Sequence, residues 1–293
     1  MPRQTSVRPP YSRDIPGRAH IAGVDFDLID AQGVLDRIRE WRRTSRCGTV
    51  SLVNPHSVLL CRRDREMSQA VRRASLTLPD GIGVILGARM LSHQHCGRVS
   101  GPELLLYLCD QGRRYGFTHY FYGGEPGVAE RIALNMASRF PGLLLAGWHS
   151  PPFRDDHDDE GEAVFAEINA RQPAILWLGL GAPKQEKWMA RHAHRVSAAA
   201  TIGVGAAFDF HSGNKRWCPV ALRQAGLEWA FRLAHEPKRL WRRNLDSFTF
   251  LALVAAQALK GFGGRPAVPP PQSRSVVHEI SRKDDPPVGE PLP

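Results

Sequence analysis

The stretch SLTLPDGIGVILGARM (residues 75–90) contains the pattern that decides the fold. It begins with a short apolar run, passes through Pro79-Asp80-Gly81, and continues into a segment of helical length. A short apolar run that ends in a turn and leads into a longer segment is typical of a β-strand followed by an α-helix. Asp80 is then predicted to lie at the carboxyl end of a strand, where open parallel sheets bind their ligands.

The same pattern recurs along the chain and predicts an α/β fold with a mostly parallel sheet flanked by helices. Strands are predicted at 48–54, 75–79, 118–124, 143–149, 174–181 and 199–205, and 24–29 is a candidate for a further short strand. Helices are predicted at 31–43, 56–73, 81–91, 101–114, 126–139, 158–170 and 183–195.

The composition is that of a globular protein large enough to bury its own core. The chain has 293 residues, of which 42% are hydrophobic and 23% charged, so it needs neither disulfides nor metal ions to fold. Its five cysteines are scattered without a CxxC pair, which favours a reducing compartment. The N-terminal residues lack an apolar segment, and 247–259 is too short to span a bilayer. We therefore expect a cytoplasmic protein.

The composition also divides the chain into regions. Residues 19–218 hold the predicted strands and form the expected sheet domain, whereas 219–260 has helical periodicity without strand-like runs. Residues 1–18 and 261–293 are rich in proline and charge and are expected to be disordered. The net charge is +10, and residues 214–243 hold eight Lys or Arg against two acids. Such a patch would attract nucleic acid, anionic lipid or a phosphorylated substrate.

The loops that follow the predicted strands meet at one edge of the sheet and supply the candidate site residues. Gly123 and Gly124 form a turn into a helix, where backbone N–H groups would bind a phosphate. The same glycines would also serve a purely steric turn. Lys184 and Gln185 begin another helix, where they would hold a phosphate or a base, or face solvent. The sequence leaves both alternatives open at these two turns.

Asp80 has two interpretations of equal weight. A carboxylate in a partly dry cleft has a raised pKa suited to proton transfer, whereas the same side chain would also cap the helix that begins at Gly81. A metal site is not expected nearby or elsewhere. The Asp156-x-Asp158 pair opens a predicted helix, where acidic residues interact favourably with the helix dipole.

Seven segments of the chain, taken in their order along the sequence, form a recognisable set of motifs. They are NPHSV (54–58), DREMSQAVRRASLTLPDGIGV (64–84), RVSGPELL (98–105), YFYGGEPGVAER (120–131), ILWLGLGAPKQEKWMARH (175–192), TIGVGAAFDFHSG (201–213) and GLEWAFRLAHEPKRLWRR (226–243). These motifs resemble those of the WecG/TagA/CpsF family of glycosyltransferases. The resemblance extends over about residues 20–245 and leaves both terminal regions outside it.

The resemblance implies a Rossmann-like α/β sheet with a C-terminal helical appendage and an inverting glycosyltransferase. Such enzymes transfer a sugar from a UDP-sugar to an undecaprenyl-diphosphate-linked saccharide in the synthesis of bacterial surface polysaccharides. The implied partners are the UDP-sugar, the lipid-linked sugar and the cytoplasmic face of the membrane, with no cofactor, no metal and no nucleic acid. The donor sugar, the acceptor glycan and the oligomeric state are not identified.

The resemblance also assigns roles to individual residues. Asp80 matches the aspartate of the family's PDG motif, which is the expected general base, and Asn54 matches an asparagine that would orient the donor or the acceptor. Leu52 stands where some relatives have threonine, so no role is assigned to it. The expected substrate-binding residues are Gly81, Gly123, Gly124, Lys184, Gln185, Arg232, Arg239 and Arg242.

Three of these residues are arginines of the basic appendage and share an expected role. An inverting transfer releases UDP, and arginine pairs with phosphate oxygens in a bidentate geometry. Arg232, Arg239 and Arg242 would lie on one helical face if the helix continued through Pro237. Residues 241–259 would then either lie in the membrane interface or pack on the sheet domain.

Two other classes of function remain as alternatives. A nucleic-acid-binding protein would use the basic appendage, although the chain contains no recognition motif. A dinucleotide-dependent oxidoreductase would share the sheet type, although the chain lacks a GxGxxG fingerprint.

Overall fold

The computed structural model describes residues 17–91, 98–151 and 161–262. Most of the residues predicted to be disordered, 1–18 and 261–293, lie outside the described residues, as does the Asp156-x-Asp158 pair. The prediction is wrong at the inner ends of both regions, because Arg18 begins a strand and Gly261 and Phe262 end a helix.

A six-stranded parallel sheet forms the centre of the fold. A hairpin of β1 (Arg18–Ile21) and β2 (Val24–Asp27) precedes it. The sheet contains β3 (Gly48–Val53), β4 (Leu76–Pro79), β5 (Thr118–Gly123), β6 (Leu144–His149), β7 (Ile175–Gly179) and β8 (Ala200–Gly203). The strand order is β4-β3-β8-β7-β5-β6, and every neighbouring pair is parallel. The six predicted strands and the predicted Rossmann-like fold class are confirmed.

Twelve α-helices accompany the sheet in the described part of the chain. Those before residue 219 are α1 (Ala31–Arg43), α2 (Pro55–Arg63), α3 (Arg65–Arg73), α4 (Ile82–Met90), α5 (Gly101–Gln111), α6 (Val128–Arg139), α7 (Glu162–Arg171), α8 (Lys184–His192) and α9 (Ala207–His211). Those of the appendage are α10 (Val220–Gln224), α11 (Glu228–His235) and α12 (Pro237–Phe262).

Three helical features differ from those expected. The single helix predicted at 56–73 is two helices, because the Asp64 side chain accepts hydrogen bonds from two backbone N–H groups and so begins α3. The short α9 was not predicted. The appendage helix does not continue through Pro237, since α11 ends at His235 and α12 begins with the proline itself. The condition for a single helical face is therefore not met: Arg232 belongs to α11, whereas Arg239 and Arg242 belong to α12.

Helices cover both faces of the sheet. Alternate side chains of a strand point to opposite faces, so Phe121 and Trp177 pack with α1, α5, α6 and α9, whereas Tyr122 and Leu178 pack with α7 and α8. The hairpin, α2, α3, α4 and α12 share a third apolar cluster beside β3. Because both faces are covered, a ligand meets the sheet at the ends of its strands.

One buried carboxylate anchors the hairpin to the edge of the sheet. Asp27 is 1% exposed and accepts hydrogen bonds from Arg18 Nε and from the Thr77 backbone N–H, each at 2.8 Å. Thr77 belongs to the edge strand β4, so this bond satisfies a backbone donor at the sheet edge.

The appendage packs on the sheet domain through α12. Phe250 and Val254 are fully buried against α4, where Gly87 leaves room for the Phe250 ring: a Cβ at Gly87 would lie 3.0 Å from it. α12 also contacts α2. Other residues of α12 are exposed, among them Trp241 and Leu245. Residues 241–259 therefore pack on the sheet domain and also present apolar side chains at the surface.

Candidate functional site

A pocket of about 320 Å³ lies between the carboxyl ends of β3 and β4 and the appendage. The sheet domain supplies one wall, with Asn54 after β3, Asp80 after β4 and His56 in the first turn of α2. The appendage supplies the opposite wall, which includes Glu228 and Arg232 of α11. Because residues of both parts line it, the pocket depends on the docking of the appendage.

Asp80 presents its carboxylate to this pocket. Its backbone N–H donates to the Val53 carbonyl at 3.1 Å, whereas no described residue forms a hydrogen bond or ion pair with its side chain. Gly81 is the N-cap residue of α4, and this helix has no side-chain cap. The helix-capping interpretation of Asp80 is therefore wrong, and the carboxylate oxygens remain accessible to a ligand.

Burial and four charged neighbours set the proton affinity of this carboxyl group. The pKa of Asp80 is raised to about 6, first by burial and then by the negative charges of Glu228 and, more weakly, Glu103. The positive charges of Arg98 and Arg232 act in the opposite direction. The group is then mostly ionised at pH 7, and its pKa lies near the range that general bases use.

A network of ion pairs holds the appendage beside Asp80. Arg98 donates to Glu228 at 2.8 Å and lies 3.8 Å from Glu103. Arg223 donates to Glu103 at 2.7 Å, and its carbonyl accepts from Arg98 at 3.2 Å. Three of these four contacts join the sheet domain to the appendage. Arg98 Nε is buried without a hydrogen-bond partner among the described residues.

Asn54 lies where β3 ends and α2 begins. Its side-chain oxygen accepts a hydrogen bond from the Ser57 backbone N–H at 3.0 Å and so caps α2. The residue also lines the pocket. Because the oxygen is used by the helix, the amide NH2 group is the part of Asn54 that would meet a substrate.

The three expected appendage arginines occupy different places. Arg232 lines the pocket, lies 5.4 Å from the Phe210 ring, and has a buried Nε without a partner among the described residues. Arg242 is exposed and lies over the Trp241 ring at 5.1 Å. Arg239 lies in the first turn of α12. Of Arg232 and Arg242, Arg232 is the one whose side chain lines the pocket that contains Asp80.

Gly123 and Gly124 lie outside the pocket, at the carboxyl end of β5. Four strand positions separate β5 from β4, which corresponds to about 19 Å at about 4.8 Å per strand. The φ angle of Gly123 is +123°, and a Cβ there would lie 2.8 Å from the Gly179 backbone. This turn therefore needs glycine for steric reasons, in addition to any contact with phosphate.

Lys184 and Gln185 also lie outside the pocket, at the start of α8 after β7. Gln185 is 4% exposed, and its Nε2 donates to Glu186 at 2.9 Å. The side chain occupies the space beside Gly203, where a Cβ would lie 2.9 Å from it. A solvent-facing Gln185 is therefore wrong, whereas Lys184 is half-buried. Burial also raises the pKa of Glu186 to about 7.

Several polar residues of the pocket were not among the expected site residues. His56, Arg98 and Glu228 are three of them. Each lies within one of the segments that resemble the family motifs, and that resemblance is the signal that would have indicated them. Arg98 and Glu228 do not follow a strand, so a search limited to strand ends overlooks them.

Arginine side chains supply the positive charge of this pocket. Arg98, Arg232 and Arg243 all line it. Within 17–91, 98–151 and 161–262, no group of three or more His, Cys, Asp or Glu side chains is arranged to hold a metal ion.

Comparison with known proteins identifies the family. The model of the glycosyl transferase WecG/TagA/CpsF family matches residues 19–263. The chain belongs to this family. The match includes every residue that lines the pocket.

Similar proteins include three enzymes named N-acetylglucosaminyldiphosphoundecaprenol N-acetyl-beta-D-mannosaminyltransferase. The one from Bacillus subtilis (strain 168) is 28% identical over 197 residues, which cover 67% of this chain and 75% of the relative. The one from Bacillus spizizenii is 30% identical over 181 residues, which cover 62% and 68%. The one from Staphylococcus aureus (strain MW2) is 24% identical over 250 residues, which cover 83% and 95%.

The Glu228→Gln variant tests the electrostatics of the pocket. Removing the negative charge of Glu228 eliminates a group that raises the pKa of Asp80 and frees Arg98 to act on it. We expect the pKa of Asp80 to fall from about 6 by about half a unit or more. The measurement is a carbon-13 NMR titration of the aspartate carboxyl groups, with Asp80 assigned by its absence in Asp80→Asn.

The exposed Glu125, at the β5 end of the sheet, provides the matched control. Glu125→Gln should leave the titration midpoint of Asp80 where it is in the wild-type chain. A midpoint that stays the same or rises in Glu228→Gln would contradict the charge balance described above.

Proposed function

We propose that this chain transfers a sugar from a UDP-sugar to a sugar linked to undecaprenyl diphosphate, with inversion at the anomeric carbon. The observation that carries the proposal is the carboxylate of Asp80, which lies in a pocket without a partner among the described residues. Asp80 would accept the proton of the acceptor hydroxyl as that oxygen attacks the anomeric carbon of the donor. The bond from the anomeric carbon to UDP breaks, and UDP leaves with the electron pair.

The arginines of the pocket would stabilise the charge that develops on the leaving group. Arg98 and Arg232 each keep a buried Nε that no described residue accepts from. Guanidinium groups in a partly dry site bind phosphate oxygens strongly, because water screens the charges less. The pocket thus combines a proton acceptor with donors for a diphosphate.

The substrates follow from chemistry and from the names of the relatives. The relatives' names specify N-acetylglucosaminyl-diphosphoundecaprenol as acceptor and N-acetylmannosaminyl as the transferred group. We propose the same acceptor here. The donor nucleotide would lie along the strand ends towards Lys184, Gln185 and the turn at Gly123 and Gly124. N-acetylmannosamine, which the relatives' names specify as the transferred sugar, is the first sugar to test.

The Asp80→Asn variant tests the proposed base. Asparagine keeps the shape of the side chain but does not accept a proton at neutral pH, so we expect transfer to fall by about 100-fold or more. The affinity for UDP should change by no more than about twofold, because the arginines remain. The assay measures UDP release from a panel of UDP-sugars with farnesyl-diphosphate-linked N-acetylglucosamine as acceptor.

Asp36→Asn is the control, since Asp36 is an exposed aspartate of α1. It should retain wild-type turnover. Turnover at the wild-type rate in Asp80→Asn would reject Asp80 as the base, and the absence of UDP release from every donor with the wild-type chain would reject the transferase proposal.

We also propose that the appendage binds the surface of the membrane. Trp241 and Leu245 lie four residues apart on α12 and are 49% and 54% exposed. Lys238 and Arg242 are exposed on the same helix. Aromatic and aliphatic side chains beside basic ones are typical of helices that lie in the interface of anionic bilayers. No described helix is long and apolar enough to cross a bilayer.

Replacing Trp241 and Leu245 by glutamate should weaken binding to vesicles that contain phosphatidylglycerol by about tenfold, measured by co-sedimentation. Neither side chain lines the pocket, so UDP binding should persist. Leu134→Glu is the matched control, because Leu134 is 51% exposed on α6 of the sheet domain. Equal vesicle binding by the wild-type chain, the variant with glutamate at 241 and 245, and Leu134→Glu would exclude this part of α12 as the membrane contact.

No feature of the described residues favours the two alternatives raised by the sequence, a nucleic-acid-binding protein and a dinucleotide-dependent oxidoreductase. Arg232 and Arg243 of the basic appendage line the pocket with Asp80. Arginines inside a pocket suit a small anionic ligand better than they suit the extended backbone of a nucleic acid.

A further inference from the structure

His56 and Asp246 form a hydrogen-bonded pair at the wall of the pocket. The His56 Nδ1 atom lies 2.5 Å from Asp246 Oδ2, and Arg63 donates to the other carboxylate oxygen at 3.2 Å. His56 lines the pocket in the first turn of α2, two residues after Asn54. Asp246 is 9% exposed and belongs to α12 of the appendage. The pair therefore joins the two parts of the chain at the pocket.

The pairing fixes which nitrogen of His56 carries the proton. Burial lowers the pKa of His56, and the positive charges of Arg243 and Arg63 lower it further, against the raising effect of Asp246. The imidazole is then neutral at pH 7. A carboxylate only accepts hydrogen bonds, so the Nδ1 atom must donate its proton to Asp246. The Nε2 atom is left with a lone pair and no partner among the described residues.

We propose that Asp246 orients His56 so that His56 Nε2 accepts a hydrogen bond from a hydroxyl group of the acceptor sugar. His56 would be a binding residue, and Asp246 a positioning residue that acts through it. This inference rests on the proposed transferase function, because it concerns the acceptor of that reaction.

Two observations favour the acceptor over the donor as the source of this hydroxyl. His56 shares the pocket with Asp80, which would take the proton of the acceptor hydroxyl. The same pocket has an apolar side formed by Leu86, Phe248 and Leu251, which suits the prenyl chain of a lipid-linked sugar better than a nucleotide.

A carboxylate that comes from the appendage has a further consequence. Residues 56 and 246 lie 190 positions apart in the chain, so His56 gains its orientation and its tautomer only when α12 is docked on α2. Recognition of the acceptor sugar would thereby require the docked appendage.

Two variants test the pair with the same acceptor, farnesyl-diphosphate-linked N-acetylglucosamine, and its monodeoxy analogues. The wild-type chain should prefer the full sugar over one of these analogues by about tenfold in kcat/KM, as expected for one hydrogen bond. In His56→Phe, kcat/KM with the full sugar should fall by about tenfold. The ratio of kcat/KM between the full sugar and that analogue should fall below about twofold.

Asp246→Asn should reverse the hydrogen bond while it keeps the shape of the side chain. Arg63 holds the oxygen of residue 246 that faces it, so the amide NH2 of the asparagine would face His56 Nδ1. The imidazole proton would then move to Nε2, and Nε2 would donate a hydrogen bond where it accepts one in the wild-type chain. Nitrogen-15 NMR of the histidine side chains should show an unprotonated Nε2 in the wild-type chain and a protonated one in this variant.

The exposed pair of His20 and Asp25 in the hairpin, 2.7 Å apart, gives a matched control. His20→Phe should leave both kcat/KM and the discrimination between acceptors unchanged. Binding of the farnesyl-linked sugar alone, without a donor, should shift the Nε2 resonance of His56, a readout that does not depend on turnover.

The outcomes separate this inference from the proposed function. An Nε2 resonance that does not respond to the acceptor, or a His56→Phe variant that discriminates like the wild-type chain, would overturn the role of His56. The absence of transfer by the wild-type chain would overturn the proposed function, while a response of Nε2 to the acceptor would still support the binding role.

Discussion

The contact between Arg98 and Glu228 holds the functional site together. It joins a residue that precedes α5 of the sheet domain to the first residue of α11 in the appendage, at 2.8 Å. Both side chains are largely shielded from solvent, with exposed fractions of 20% and 21%. Breaking a shielded pair leaves an uncompensated charge and is costly. The wall that faces Asp80 therefore depends on this ion pair and on its neighbour, the pair of Arg223 and Glu103.

The same residues control the chemistry of Asp80. Glu228 and Arg232, two of the four charged groups that shift the pKa of Asp80, belong to the appendage. Burial and the two negative groups, Glu228 and Glu103, outweigh the two positive ones, and the pKa of Asp80 is raised to about 6. The resulting charge balance keeps the carboxylate ionised at neutral pH while it remains basic enough to take a proton. Docking and reactivity are thus two effects of one set of contacts.

Much of the fold was predictable because its signals are local. The strands of a parallel sheet that is covered on both faces are short apolar runs, and all six were found from the sequence. The differences are also local: Asp64 starts a new helix by capping it, and Pro237 begins α12, so the helix does not continue through this proline. The steric need for glycine at Gly123 depends on the approach of Gly179 from a neighbouring strand, which a linear pattern does not contain.

The candidate site was predictable only in part. Asp80 and Asn54 follow strands, so topology alone places them at one edge of the sheet. The pairs that complete the pocket join residues 130 and 190 positions apart, Arg98 with Glu228 and His56 with Asp246. Such contacts arise from the docking of the appendage, and no local periodicity encodes them. The choice between the two alternatives for Gln185 was not predictable for the same reason, since its burial depends on the space beside Gly203.

The most direct test is an experimental structure of the chain bound to UDP and farnesyl-diphosphate-linked N-acetylglucosamine. If the pocket between the sheet domain and the appendage binds the acceptor, a hydroxyl of its sugar will lie within about 2.6–3.2 Å of the Asp80 carboxylate. The farnesyl chain will lie on the side of Phe248 and Leu251. An acceptor sugar bound beyond hydrogen-bonding reach of Asp80, or at the ends of β5 and β7, would contradict this assignment of the site.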